Sequence, residues 1–192
     1  MALMSLSAAI LAGGKAERMS HQDKGLMHYQ GTPMALLVGQ ALRHVADHVF
    51  VNANRNYEQY SELGFDVVAD EEAYLGMGPL SGLMTCLNTA NSSHLLISPC
   101  DTPCITHEAF TLLQQVCISA PESIYYLSDS LGIHPLHAIL PVASARASLS
   151  VFLSTGNRHS VMAFYNYFGC ESVEWKYSDQ LLNVNTPQQL LR

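Results

Sequence analysis

Three features of the sequence could do chemistry together: a glycine pair, a short basic loop and several isolated acids. Gly13-Gly14 is followed by Lys15, Arg18 and then Asp23-Lys24-Gly25, so three of the nine Lys and Arg residues fall within ten positions. Glycines after a strand let backbone N–H groups approach a phosphate or a base edge, and nearby Lys and Arg add charge-assisted hydrogen bonds. In a chain of net charge −7 this local positive charge suits a small polyanion such as a triphosphate. The spacing is neither G-x-G-x-x-G nor G-x-x-x-x-G-K-[ST], which disfavours a dehydrogenase and a P-loop kinase. Asp101 offers a carboxylate of the kind magnesium takes together with phosphate oxygens.

The elements that must position these residues read as alternating strand and helix. Residues 6–12 form a short apolar run ending at the glycines, as expected of a strand buried on both faces. A helix is expected over 33–46, with Thr32 as N-cap and Pro33 as first helical residue, then a strand over 49–51 ending at Asn52. A helix over 57–63 closed by Gly64 leads to a strand over 65–69 ending at Asp70. Gly78-Pro79 starts another helix, and a strand over 95–98 ends just before Asp101. Farther on, strands are expected over 124–127, 135–140 and 170–175, and helices over 143–153 and 161–168. The pattern predicts an α/β fold, a single-domain, three-layer, Rossmann-like domain over 1–192 with a mostly parallel sheet. Ligands of such sheets bind beyond the carboxyl ends of the strands, and Gly13, Asn52, Asp70 and Asp101 all fall there.

Bulk properties narrow the function classes. The acidic balance and pI near 5.6 argue against nucleic acid as a partner. Five cysteines without paired spacing read as reduced thiols, and neither they nor the nine histidines show zinc-ligand spacing. The apolar N-terminus lacks the basic start of a signal peptide, and no apolar stretch reaches the length of a membrane span, so a cytoplasmic protein is expected.

The segment LAGGKAERM…DKG resembles the signature of the molybdenum cofactor guanylyltransferases, the MobA family. Segments 51–55 (VNANR), 78–82 (GPLSG), 99–103 (PCDTP) and 183–187 (NVNTP) are similar to that family in the same order, so the resemblance spans 11–187. It implies transfer of GMP from GTP to molybdopterin, giving the guanine dinucleotide cofactor and pyrophosphate. It further implies that Leu11, Ala12, Gly13 and Gly14 meet the nucleotide, with Asn52 and Asp70 nearby. Arg18 and Lys24 would neutralise phosphate charge, and Asp101 would hold Mg2+ and touch the nucleotide. Asn183 and Asn185 are candidates for the pterin phosphate, Asn185 also for the metal, whereas Thr186, Pro187 and Gln189 read as a helix-capping box. Transient contacts with proteins that deliver the pterin and molybdoenzymes that receive the product follow from the same resemblance. Two segments depart from the family pattern: Ser20-His21-Gln22 stands where glycines are common, and Arg158-His159 where a basic pair is common. A cytidylyltransferase for the same pterin or another phosphorylated acceptor, and a non-catalytic nucleotide-binding regulator, are the competing readings.

Overall fold

The computed structural model describes residues 4–13, 23–155 and 160–185. The chain forms β1 (Leu6–Leu11), a two-residue-strand hairpin of β2 (His28–Tyr29) and β3 (Thr32–Pro33), α1 (Met34–Arg43), β4 (His48–Asn52), α2 (Tyr57–Glu62) and β5 (Asp66–Val68). It continues through α3 (Pro79–Thr89), β6 (His94–Pro99), α4 (His107–Ser119), β7 (Ile124–Asp129), β8 (Gly132–Pro141), α5 (Val142–Ser154), α6 (Val161–Phe168) and β9 (Cys170–Glu174).

Among the described residues, seven strands make one sheet in the order β5-β4-β1-β6-β8-β7-β9, in which β8 alone runs against its neighbours. The expected mostly parallel α/β architecture is therefore present. Its strands alternate between two apolar clusters. Ala8 and Ile10 of β1, with Val49 and Val51 of β4, join one cluster, while Ala9 and Phe50 join the other. That two-sided burial explains why β1 reads as a continuous apolar run. Helices α1 and α4 contact each other, as α3 does α5, giving helical layers on the two sides.

From β1 the chain moves outward to β4 and β5, then returns to place β6 on the other side of β1. The reversal lies between β1 and β6, so Gly13 and Asp101 leave the sheet at a topological switch point, where open α/β sheets bind ligands.

The expected start of the first helix needs correction. Thr32 and Pro33 pair with Tyr29 and His28 in the hairpin, and Pro33 is extended (φ −54°, ψ 133°). It is thus the residue before the helix, no side chain caps α1, and the helix ends at Arg43 rather than 46. Strand pairing outcompeted the Thr-Pro capping pattern. Helix α4, between Asp101 and the 124–127 strand, was not anticipated. Other expected elements fall within a few residues of their observed ends, and Gly64 closes α2 with φ +83°.

Candidate active site

The Asp23-Lys24-Gly25 segment splits into three jobs. Asp23 is buried, and its Oδ1 accepts from Gly25 N at 3.2 Å and from Tyr60 OH at 2.6 Å, while Oδ2 accepts from Asn56 Nδ2 at 3.0 Å. Arg55 Nε lies 3.6 Å from the same oxygen. So the carboxylate is spent on anchoring the loop to α2 and the turn before it. Burial, joined by nearby negative charge, raises the Tyr60 phenol far above its ordinary range, which keeps it a donor. Gly25 is required by this packing, since a Cβ there would collide with Tyr60 OH.

Lys24, held between those two residues, reaches out to the rim. Its Nζ lies 2.9 Å from Asp101 Oδ2 and donates to Asn185 Oδ1 at 2.6 Å. Asp101 is fixed from behind by its own main chain: Val184 N donates to Asp101 O at 2.8 Å, and Cys100 N to Leu11 O at 3.2 Å. Next to it, Thr102 Oγ1 and the buried His137 Nε2 are hydrogen-bonded at 3.0 Å. A bulge supplies that histidine. The β7–β8 register jumps from Tyr126↔Ala138 to Leu127↔His134, leaving Pro135, Leu136 and His137 without partners in β7. Bulges beside functional sites commonly re-aim a side chain in this way.

A second polar cluster sits at the ends of β1, β4 and β5. Asn52 Nδ2 donates to Asp70 Oδ1 at 2.8 Å and to Val68 O at 3.3 Å. Asn54 Nδ2 donates to Asp70 Oδ2 at 2.9 Å, and Asp70 N donates back to Asn54 Oδ1 at 2.8 Å. Gly13 and Gly82 leave room for these side chains: a Cβ on Gly13 would stand 3.1 Å from Asn54 Nδ2, and one on Gly82 would collide with Asn52 Oδ1.

The residues expected from sequence are therefore brought to the rim in two groups. Gly13, Asn52 and Asp70 gather in one, and Lys24, Asp101 and Asn185 in the other. Leu11 and Ala12 take part through their backbones, but in the sheet, since Leu11 O accepts from Cys100 N and Ala12 N donates to Asn52 O. Asn183 is exposed. Gly14, Arg18, the Ser20-His21-Gln22 segment, Arg158-His159 and the Thr186-Pro187-Gln189 box lie outside the described residues. Asn54, Tyr60 and His137 were given no role from sequence, and Asp23 was read only as part of the Asp23-Lys24-Gly25 segment. The signal for Asn54 was present, since it follows Asn52 by two positions and shares its side of an extended segment.

Among the described residues, the buried Asp101 Oδ1 has no hydrogen-bond partner. A buried carboxylate oxygen left unpaired is costly, and a hard divalent cation that needs only one or two protein carboxylates alongside phosphates would satisfy it. The donor chemistry of this oxygen is compatible with Mg2+, which Asp101 would hold.

The mostly parallel sheet thus carries, at its switch-point rim, a lysine paired to an acid with a polar cradle beside them. The sequence matches the MobA-like NTP transferase domain over residues 8–175. The chain belongs to that family and is a nucleotidyltransferase. It is 37% identical over 183 residues to a molybdenum cofactor guanylyltransferase of Pasteurella multocida, covering 95% of each chain. It is 33% identical over 192 residues to one from Shewanella piezotolerans, covering 97% of this chain and 90% of that one. Among solved structures, the molybdopterin-guanine dinucleotide biosynthesis protein A of Archaeoglobus fulgidus superposes with TM-score 0.75 at 18% identity, covering 97% and 95% of the two chains. A 4-diphosphocytidyl-2C-methyl-D-erythritol synthase from Anaerococcus prevotii reaches the same TM-score at 11% identity, covering 98% and 95%. At such identities the likeness is one of fold. No helix among the described residues is long and apolar enough to cross a membrane.

Proposed function

We propose that this protein transfers GMP from GTP to molybdopterin, forming the guanine dinucleotide form of the molybdenum cofactor and releasing pyrophosphate. The observation that carries the reading is full-length similarity to molybdenum cofactor guanylyltransferases above 30% identity, joined to a rim in which Lys24, Asp101 and Asn185 converge. A terminal phosphate oxygen of the pterin attacks the α-phosphorus of GTP, and the bond to the β-phosphate oxygen breaks. Such transfer depends mainly on in-line positioning and charge stabilisation.

In this reading Asp70, with Asn52, faces the base at the ends of β4 and β5, and Gly13 and Gly14 bring backbone close to the nucleotide. Lys24 exchanges part of its pairing with Asp101 for triphosphate oxygens, and Arg18, outside the described residues, adds positive charge. Asp101 and, secondarily, Asn185 would hold the magnesium ion, which would supply neutralisation of charge on the triphosphate. Asn183 and Asn185 face the pterin phosphate. The protein works in the cytoplasm, and hands its product to molybdoenzymes through transient contacts.

The test is pyrophosphate release with GTP, ATP or CTP, with and without molybdopterin. Release with GTP that requires both pterin and magnesium is expected. Turnover with CTP in preference to GTP would establish the cytidylyl alternative, and tight GTP binding without any pyrophosphate release would establish a regulator.

A further inference from the structure

We propose that Asn54 is a positioning residue for base selection: it aims the Asp70 carboxylate so that the protein prefers guanine. The assignment rests on the guanylyl reading above.

The contact between the two residues is reciprocal. Asn54 donates through Nδ2 to Asp70 Oδ2 at 2.9 Å and accepts through Oδ1 from Asp70 N at 2.8 Å. Because one partner is a carboxylate and the other an N–H, only one orientation of the amide satisfies both, so its nitrogen and oxygen are distinguished by their partners. The side chain thus clamps both the backbone and the carboxylate of Asp70. Asn52 Nδ2 holds the other carboxylate oxygen at 2.8 Å. A carboxylate has about four acceptor positions. With one position on each oxygen filled by an asparagine, each oxygen keeps one for a ligand, and the plane of the group is fixed.

Two parallel acceptors match a base edge that offers two adjacent donors. Guanine has one in N1–H and its 2-amino group. Adenine presents an acceptor at N1 beside its 6-amino donor, and cytosine an acceptor at N3 beside its 4-amino donor, so each would set a lone pair against the carboxylate. A site built from held polar groups rejects the mismatched partner far more strongly than an apolar pocket does, because its own groups are left unpaired. That rejection requires a carboxylate that cannot turn away. Gly13 adds to the case: its missing Cβ is what lets the strand end lie against Asn54 Nδ2. Asn52 is buried and also bound to Val68 O, so it is built into the sheet end, whereas Asn54 is exposed and can be replaced with less disturbance.

The experiment titrates the full chain, with magnesium, using GTP, ITP, ATP, CTP and inorganic tripolyphosphate. The wild type should prefer GTP over ATP, over CTP and, because inosine lacks the 2-amino group, over ITP. Asn54→Ala should reduce the GTP-over-ATP preference at least tenfold, with the GTP-to-ITP ratio moving toward one and tripolyphosphate affinity within twofold of wild type. Asn54→Asp keeps an acceptor for Asp70 N but sets a carboxylate against Asp70 Oδ2, and should lose the preference as well. Selectivity retained in either folded variant, or tripolyphosphate binding that falls in step with GTP, would overturn the role of Asn54 alone. A wild type that favours CTP or does not discriminate would overturn the guanylyl reading and the assignment with it.

Discussion

Lys24 and Asp101, 77 residues apart in sequence, are joined by a 2.9 Å ion pair across the switch point of the sheet. The pair holds together the two charges that a nucleotide would use, and the Asn185 carbonyl oxygen accepts from the same ammonium at 2.6 Å. In the proposed reading, an incoming triphosphate would compete with a carboxylate for the lysine.

Replacing Lys24 with alanine should weaken triphosphate binding by roughly tenfold or more at low salt, since a charge-assisted hydrogen bond is lost. The Asp101 carboxylate would then face the triphosphate uncompensated. Screening at high ionic strength should narrow the gap between variant and wild type. Calorimetric titration of GTP at low and high salt measures both effects, and unchanged affinity at low salt would remove Lys24 from the nucleotide site.

Asp101→Asn tests the acid in turn. It preserves shape and removes the charge, and the main-chain bond from Val184 N to Asp101 O is untouched. The fold should persist by circular dichroism. Turnover should fall by on the order of a hundredfold, since a metal that neutralises charge contributes several kcal/mol and each roughly 1.4 kcal/mol is a factor of ten. Pyrophosphate release across a magnesium titration measures it, and near-normal turnover at low magnesium would exclude Asp101 as the metal ligand.

Gly25→Ala probes the anchoring of the lysine loop. The added methyl group meets the fully buried Tyr60 ring, whose hydroxyl is also bound to Asp23. Overpacking of this kind costs about 1–3 kcal/mol, and for a chain of this length each kcal/mol lowers the thermal midpoint by roughly 2–4 °C. Tyr60→Phe in the same chain should recover part of that loss by removing the colliding oxygen, and a double-mutant cycle would show it as coupling between the two sites. Strict additivity would mean that the methyl group is accommodated elsewhere.

The outline of the fold was legible because its strands are short apolar runs ending in glycine, asparagine or aspartate, and its helices carry local stop signals such as Gly64. What was not legible depends on contacts between distant residues. Thr32 and Pro33 look like a helix start in isolation, and only pairing with His28 and Tyr29 makes them a strand. Asp23 reads from sequence only as part of the Asp23-Lys24-Gly25 segment, and it is Tyr60, 37 positions away, that draws it into the interior. His137 is one of nine histidines with no ligand spacing, and a three-residue excess in β8 brings it to Thr102. Lys24 was found from sequence because it stands in a basic loop of an acidic chain, and Asp101 because it follows a strand end; Asn54 was read only within the VNANR segment and given no role, since the strand ends at Asn52.

His137 gives the site a measurable dependence on acid. Burial, helped by the charge of His134, pulls its imidazole from the ordinary 6.5 down to about 3, so the folded protein keeps it neutral where the unfolded chain would protonate it. The unfolded state then binds more protons between those two values, and stability must rise with pH across that window. The contribution is fully present above about pH 6.5 and is lost progressively as pH falls toward 3. Well below 6.5 the slope for one group approaches about 1.4 kcal/mol per pH unit. His137→Gln keeps a polar partner for Thr102 but cannot titrate. At pH 7.5 the variant should be no more stable than wild type, because it loses the shape fit of the imidazole. At pH 5 the difference should shift in the variant's favour by about 2 kcal/mol, roughly one and a half pH units at the limiting slope. Urea unfolding of both proteins at the two pH values measures that shift, with the other acid-sensitive groups common to both. Parallel stability curves would mean that His137 is protonated in the folded state or that the bulge opens to water.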